Sequence, residues 1–402
     1  MSSRLELGPG DRYGQFEIVE QLGQGAFAAV YRVRTPSRAS AALKLSLRPV
    51  GDSDESRRAL REIAVLQTLT NHHVVRVFEA GQGADGRVYI LMDYLEGQQL
   101  DVFHDFDVPM PAAQAVWLIH QACLGLAEAH AHGIVHRDVK PANVWVEPDH
   151  NVRVIDFGLA RAWDTDEKIG SDVTIGRLLI GTPHYMQPEQ LFTQRLSPQS
   201  DVYSLAVILY ELLTGRCIFF PERKFSEARD ALRDDPVPWL SAHRSTPPDP
   251  FETFPHTRDL PAALGDLVLQ CLEKVPDLRP ADAGVLANQL GSILHYEFGV
   301  AVAAMLRIQH PWGGFEDKLL LPGSHRIGSG RDVEIRLPER GVKPVHAILE
   351  WGGLPELPQL RPMIGDGSVR VDGTAILRRT AVPRGAEIAV GPYVLDLTYP
   401  EG

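Results

Sequence analysis

The stretch His136-Arg137-Asp138-Val139-Lys140-Pro141-Ala142-Asn143, followed by Asp156-Phe157-Gly158, restricts this chain more than any other. One short loop carries a carboxylate, an ammonium and an amide, and a second carboxylate follows thirteen residues after Asn143. A phosphoryl group in flight spreads charge over its oxygens, so its transfer needs positioned cations and an oriented nucleophile. Asp138 can accept a hydroxyl proton, and Lys140 can neutralise a moving phosphate. Asn143 and Asp156 offer the hard oxygen ligands that magnesium prefers. The plainer alternative is a surface loop with scattered charges.

The string resembles the catalytic and metal-binding loops of Hanks-type protein kinases, closest to the bacterial serine/threonine branch. The resemblance runs from about Tyr13 to His295. It implies an α+β, bilobal protein-kinase fold over 13–297, with a β-rich N-lobe at 13–93, a helical C-lobe at 96–297 and a short tail at 1–12. It also implies ATP and Mg2+ as cofactors, with Asp138 and Lys140 catalytic and Asn143 and Asp156 on the metal.

Phe16 to Val33 alternates apolar and polar residues around Gly23-Gln24-Gly25-Ala26-Phe27, which predicts two antiparallel strands joined by a glycine turn. Glycines there let backbone N–H groups approach phosphates closely. The family's third glycine is replaced by Ala28. By resemblance, Leu22, Gly23, Gln24, Gly25, Ala26, Phe27, Ala28 and Val30 cover the nucleotide. Ala42 lies on the next strand, and Lys44 holds the α- and β-phosphates. A lone lysine in an apolar strand is otherwise an edge or snorkelling residue. The predicted helix Ser56 to Leu69 supplies its counter-ion, Glu62, with Glu55 the competitor. Val88 to Leu95 reads as a buried strand leading into the lobe connection. Family analogy puts Met92 behind the adenine and the backbone of Asp93 to Leu95 on its edge. Pro111 to His132 reads as a long amphipathic helix. Trp145 falls where an aliphatic residue usually underlies the base. It could stack on the base, narrow the pocket, or belong to the core.

Gly158 to Glu189 resembles the activation segment, ending in Gly181-Thr182-Pro183-His184-Tyr185-Met186-Gln187-Pro188-Glu189. The resemblance pairs Glu189 with Arg279 and has Asp201 brace the catalytic loop. Lys140 and Thr182 fit serine/threonine rather than tyrosine kinases. Arg137 implies activation by a phosphate in the segment, with Thr174 the first choice, Thr165 and Ser171 behind it, and Thr182 a structural hydroxyl beside the acceptor. Pro236 to Pro261 reads as a proline-rich surface loop.

From Phe315 the pattern changes to short strands and turns, which predicts a small all-β sandwich over 315–402 after a linker at 298–314. Ile327-Gly328, Val333 to Pro338, Val345 to Leu349, Val371 to Thr374 and Ile388 to Gly391 resemble a forkhead-associated (FHA) domain. The phosphate-gripping residues depart from that family. Ser329 replaces an arginine, Lys343-Pro344 replaces serine–arginine, and Asp366-Gly367 replaces asparagine–glycine. Lys343, Arg326 or Arg331 could substitute. The expectation is docking of an unphosphorylated partner, or packing on the kinase lobes, rather than ordinary phosphothreonine reading.

A net charge of −12 lacks the basic face that nucleic acid requires and disfavours an anionic membrane. Cys123, Cys217 and Cys271 are far apart and read as buried thiols in a reducing compartment. No signal or spanning stretch is evident, so a cytoplasmic location is expected. Together these readings describe a serine/threonine protein kinase acting on protein hydroxyls in bacterial signalling, autophosphorylating and able to dimerise for that step. The rivals are a pseudokinase scaffold and a small-molecule kinase.

Overall fold

Period-two alternation decides which side chains face the site. A computed structural model describes residues 7–49, 63, 65–157, 183–192, 196–232, 235, 237–300, 304–320, 323–352 and 357–398. The chain divides into two units, Met1–Leu286 and Ala287–Gly402. The first opens with strands β1 (Arg12–Tyr13), β2 (Phe16–Gln24), β3 (Ala28–Thr35), β4 (Arg38–Ser46), β5 (Val77–Gln82) and β6 (Val88–Met92) in the sheet order β1-β2-β3-β4-β6-β5. Ala29, Tyr31 and Val33 of β3, and Ala41, Leu43 and Leu45 of β4, pack into one buried cluster. The alternate residues Val30, Ala42 and Lys44 therefore project from the other face. Val30 pairs with Lys44 across the strands, and Ala42 pairs with Met92.

Gly97, at φ 109°, turns the chain out of this sheet, and a Cβ there would lie 2.2 Å from the Val146 carbonyl oxygen. Beyond it lie β7 (Gln98–Gln99), helix α1 (Leu100–Phe103), helix α2 (Ala112–Ala131), β8 (Val144–Val146) and β9 (Val152–Val154), with the three strands forming a small sheet. Helix α3 (Pro198–Thr214) is buried all round from Ser200 to Thr214, the pattern of a central core helix rather than a surface one. Gly215, left-handed at φ 60°, caps it by donating its N–H to the Glu211 carbonyl. Then follow α4 (Phe225–Ala231), α5 (Val237–Ser245), α6 (Ala262–Cys271) and α7 (Ala283–Tyr296), within which the division between the two units falls.

The proline-rich stretch expected as a loop contains helix α5, with Trp239 and His243 buried. Pro238 falls in its first turn, where the missing N–H has no helical partner to lose.

The second unit has strands β10 (Ala304–Gln309), β11 (Phe315–Leu320), β12 (Gly323–Gly328), β13 (Ile335–Arg336), β14 (Ala347–Trp351), β15 (Gln359–Pro362), β16 (Val369–Val371), β17 (Thr374–Ala375), β18 (Thr380–Ala381), β19 (Glu387–Val390) and β20 (Tyr393–Thr398). They form sheets ordered β11-β10-β20-β19-β16-β17 and β13-β12-β14-β15-β18. Leu306, Ile388 and Leu395 of the first share one core with Ile327, Leu349 and Leu360 of the second, so the unit is a sandwich. Strand β10 corrects the expected linker at 298–314: it pairs with both β11 and β20. Ala304, Leu306 and Ile308 alternate inward and are buried, and that burial draws the segment into the sheet.

Candidate functional site

Asp138 receives two donors on one oxygen. Its Oδ2 accepts from Lys140 Nζ at 2.8 Å and from Asn143 Nδ2 at 3.2 Å. Asn143 Nδ2 also donates to the Asp138 carbonyl at 2.7 Å. The Asn143 amide is thus turned so that its nitrogen faces Asp138, which leaves its oxygen as the atom that would meet a cation. Buried His136 ties this loop to the next one. Its Nε2 donates to the Ile155 carbonyl at 2.9 Å, so Nδ1 carries the lone pair that accepts the Asp138 N–H at 3.3 Å. Ile155 N in turn donates to the Asn143 carbonyl at 3.0 Å.

Lys44 Nζ lies 2.7 Å from Asp156 Oδ1. Burial pushes the Asp156 carboxyl up, but the Lys44 charge and hydrogen bond, helped by His136 and Lys140, outweigh it and hold the group below the usual carboxylate range. Asp156 is therefore an anion at neutral pH. Asp156 and Arg137 both have positive φ, 59° and 68°. Such conformations cost a non-glycine residue on the order of 1–3 kcal/mol and persist only where neighbours enforce them. For Arg137 the enforcer is Asp201 on α3, fully buried, which accepts the His136 N–H at 2.7 Å and the Arg137 N–H at 2.9 Å.

Above these loops, Ala42, Val75 and Met92 form a buried apolar cluster with Val30, Leu95 and Ile155 packed against it. Ala42, Met92, Val30 and Leu95 are expected there. Val75 and Ile155 are not, although Ile155 directly precedes Asp156. Val75 is brought in by its N–H bond to the Val154 carbonyl, a contact with no local sequence signal. The Asp93 N–H is bonded to the Arg76 carbonyl at 3.0 Å, so it is not the donor that would read a base edge. Gly23 and Gln24 end β2, and Leu22 beside them is exposed. The Gly25 N–H closes the turn over Ala26 and Phe27 onto the Ala28 carbonyl at 2.8 Å. A Cβ on Gly23 would meet nothing within 4 Å, so its glycine is not required by crowding in this structure. Trp145, half-buried, donates its indole N–H to the Glu96 carbonyl at 2.9 Å. Glu62, Thr165, Ser171, Thr174 and Thr182 lie outside the described residues.

The donor set fits the groups that the sequence implies. Two oxygen ligands stand on loops joined by hydrogen bonds, an ammonium is fixed on an adjoining strand, and an apolar slot suits a flat base.

A family model described as the protein kinase domain matches residues 16–290. The chain belongs to the protein kinase domain family. It is 32% identical over 285 residues to serine/threonine-protein kinase pkn3 of Myxococcus xanthus, covering 69% of this chain and 50% of that one. It is 36% identical over 287 residues to serine/threonine-protein kinase PknB of Mycolicibacterium smegmatis, covering 70% and 42%. Serine/threonine-protein kinase pkn2 of Myxococcus xanthus is 31% identical over 293 residues, covering 69% and 32%. The chain thus spans half or less of the length of these curated relatives. Among the described residues no helix is long and apolar enough to cross a membrane.

Proposed function

We propose that the chain is a serine/threonine protein kinase that transfers the γ-phosphoryl group of MgATP to a protein hydroxyl. The observation that carries this reading is the Asp138–Lys140–Asn143 cluster, joined through His136 and Ile155 to the loop bearing Asp156 and its Lys44 partner. Magnesium, when bound, supplies positive charge on the phosphate oxygens. Asp138 orients the acceptor hydroxyl and takes its proton. Lys140 balances charge building on the transferred group. Lys44 positions the phosphates, and the oxygens of Asn143 and Asp156 hold the cation. Glu62 is the proposed counter-ion of Lys44. Lys140 and Thr182 support a serine or threonine acceptor, and the Gly181–Glu189 sequence argues against a small molecule. Autophosphorylation through paired copies, control at Thr174 and a cytoplasmic signalling role belong to the same proposal.

The purified chain should phosphorylate itself and a generic protein substrate with MgATP. Asp138→Asn should lower the rate about 10²–10⁴-fold, the usual worth of a positioned general base. Lys44→Met should abolish turnover. Unchanged rates in both variants would remove the assignment.

The second unit is proposed as an FHA-like docking module that does not grip phosphothreonine in the family's usual way. Its two-sheet topology supports the first half of that statement. The loop after β12 supports the second. Ser329 N donates to the Lys343 carbonyl at 2.9 Å, Gly330 N to the Pro344 carbonyl at 3.1 Å, and Ser329 Oγ to the Val342 carbonyl at 2.8 Å. Those donors are already spent. Asp366 adds a carboxylate, bonded to the Ser368 N–H at 2.9 Å. Losing charge-assisted arginine contacts removes the strongest part of phosphate recognition. Titrating the full chain with a phosphothreonine peptide library should show no binding that depends on the phosphate. Micromolar binding abolished by dephosphorylation and by Lys343→Ala would overturn this reading.

A further inference from the structure

Glu211 is fully buried near the C-terminal end of α3, a costly place for a carboxylate. Its Oε1 lies 2.5 Å from His184 Nε2, in the turn Pro183–Tyr185, and accepts the Ile218 N–H at 3.2 Å. Its Oε2 is buried without a close hydrogen bond, and the group that faces it is the Tyr185 hydroxyl, whose ionisation burial and then the Glu211 carboxylate push well up. The Gly215 cap turns the chain so that Cys217, also fully buried, returns beside the carboxylate. The ligand atoms of His184, Glu211 and Cys217 all lie within 4.8 Å of one another. The His184 ring is held between Trp239, at 4.0 Å centroid separation, and Tyr185, at 4.4 Å.

We infer that His184, Glu211 and Cys217 form a zinc-binding site that clamps the end of the activation segment onto α3. Zinc suits a mixed set of nitrogen, sulfur and oxygen donors, at about 2.0–2.1 Å from nitrogen, 2.3 Å from sulfur and 2.0–2.2 Å from oxygen. A thiolate and a carboxylate together neutralise the dication, which removes the penalty of a lone buried charge. Glu211 Oε2 turns from the Tyr185 hydroxyl to the ion, so that both carboxylate oxygens, the imidazole nitrogen and the thiolate make up the four donors. On binding, the Cys217 thiol proton and any proton shared by His184 and Glu211 leave to solvent. Tetrahedral coordination at those bond lengths spaces ligand atoms about 3.4 Å apart. The ion therefore opens the His184–Glu211 contact by about 1 Å. The site lies outside the phosphoryl-transfer residues, so it stands or falls apart from the proposed activity.

The test uses the full-length chain. Protein purified from zinc-supplemented cells and dialysed should retain one zinc ion per chain by elemental analysis. Chelator-stripped protein titrated with Co2+ alone should develop a thiolate-to-cobalt charge-transfer band. Cys217→Ser should remove the band and the retained zinc. Should that variant fold poorly, the Cys123→Ser/Cys271→Ser double variant must keep the band, because the other two thiols are then absent. A wild-type chain that retains no zinc and shows no such band overturns the inference. So does a band that survives Cys217→Ser or vanishes in the double variant.

Discussion

Arg279 grips Glu189 with two hydrogen bonds, of 3.0 and 2.9 Å, across 90 residues of sequence. The arginine side chain is wholly buried and also donates to the carbonyls of Glu273, Gln199 and Lys274. Burial pushes the Glu189 carboxyl up, but the Arg279 bonds and charge, with the Ser200 hydroxyl, more than reverse this and leave it lowered. Removing one partner of such a pair strands a buried charge and typically costs about 3–5 kcal/mol. Glu189→Ala and Arg279→Ala should each destabilise the kinase unit by that order in denaturant unfolding. The double variant should cost less than the two added together. The pair's pH window is acidic: its stabilisation is complete above the unfolded glutamate value, about 4.3, and is lost as pH falls through the depressed folded value. Glu189→Gln should remove that component of acid unfolding. Additive single costs would show that the two side chains are not coupled.

His73 titrates in a higher window. Burial, the largest cause, pushes its imidazole down to about 4, against a partial rise from its bond to the Val152 carbonyl at 2.9 Å. The unfolded chain binds this proton near pH 6.5 and the folded chain only near 4. Between those values the unfolded state holds more protons, so stability falls as pH falls. One proton is worth about 1.4 kcal/mol per pH unit, or about 3 kcal/mol over the whole window. Denaturant unfolding at pH 7 and pH 4.5 should show this slope, and His73→Gln should flatten it by one proton. An unchanged slope in the variant would assign the acid sensitivity elsewhere.

Much of the site was readable because its chemistry demands particular residues at short local spacing. Asp138, Lys140, Asn143 and Asp156 fall within 19 residues and meet through loop geometry alone. Lys44 was readable from its place after the glycine turn, by resemblance; that period two sets it opposite the packed face of β4 emerged only with the fold. Contacts made only by folding were not readable. Val75 reaches the apolar slot through one backbone bond. Trp239 and His243 were hidden because prolines made their segment look like a loop. The alternation of Ala304, Leu306 and Ile308 was present in the sequence, but an apolar run near a domain edge resembles a linker until its pairing partners, β11 and β20, are in place. His184 and Glu211 are 27 residues apart, and no spacing rule joins an irregular turn to a helix end.

Asp201 acts on the catalytic loop through backbone bonds and touches none of the groups that would react. His130 helps to hold it. The His130 Nδ1 accepts the Ala283 N–H at 3.1 Å, so its Nε2 carries the proton and donates to Asp201 Oδ2 at 2.9 Å. Three donors thus converge on one carboxylate. Asp201→Asn sets an amide N–H₂ against one of them, and an unmet buried group costs about 1–3 kcal/mol. The strained Arg137 backbone should then relax and shift Asp138. A fall in kcat is expected, with KM for MgATP little changed, because Lys44 and the apolar slot are untouched. A rise in KM at constant kcat would mean that Asp201 supports nucleotide binding instead.

Trp145 stands where the family resemblance places an aliphatic residue. Val144 and Val146 point into the core, and period two sends the indole to the opposite face of β8, where it is half-buried. Its N–H bond to the Glu96 carbonyl at 2.9 Å fixes the ring against the segment joining the sheet to the helices. Glu96 is exposed, so water can replace that bond, and Trp145→Leu should cost stability near the lower end of about 0.5–1.5 kcal/mol. The larger effect should be on the nucleotide. Glu96 directly follows Leu95, which packs on the apolar slot, so a change at Trp145 is expected to alter binding in the ground state and transition state alike, shifting KM for MgATP while kcat holds. The chain has six tryptophans, and comparing wild type with Trp145→Leu isolates the signal of this one. Adding nucleotide should change the emission of the wild type by more than that of the variant, with or without turnover. Identical KM values and identical emission responses would place Trp145 outside the nucleotide site.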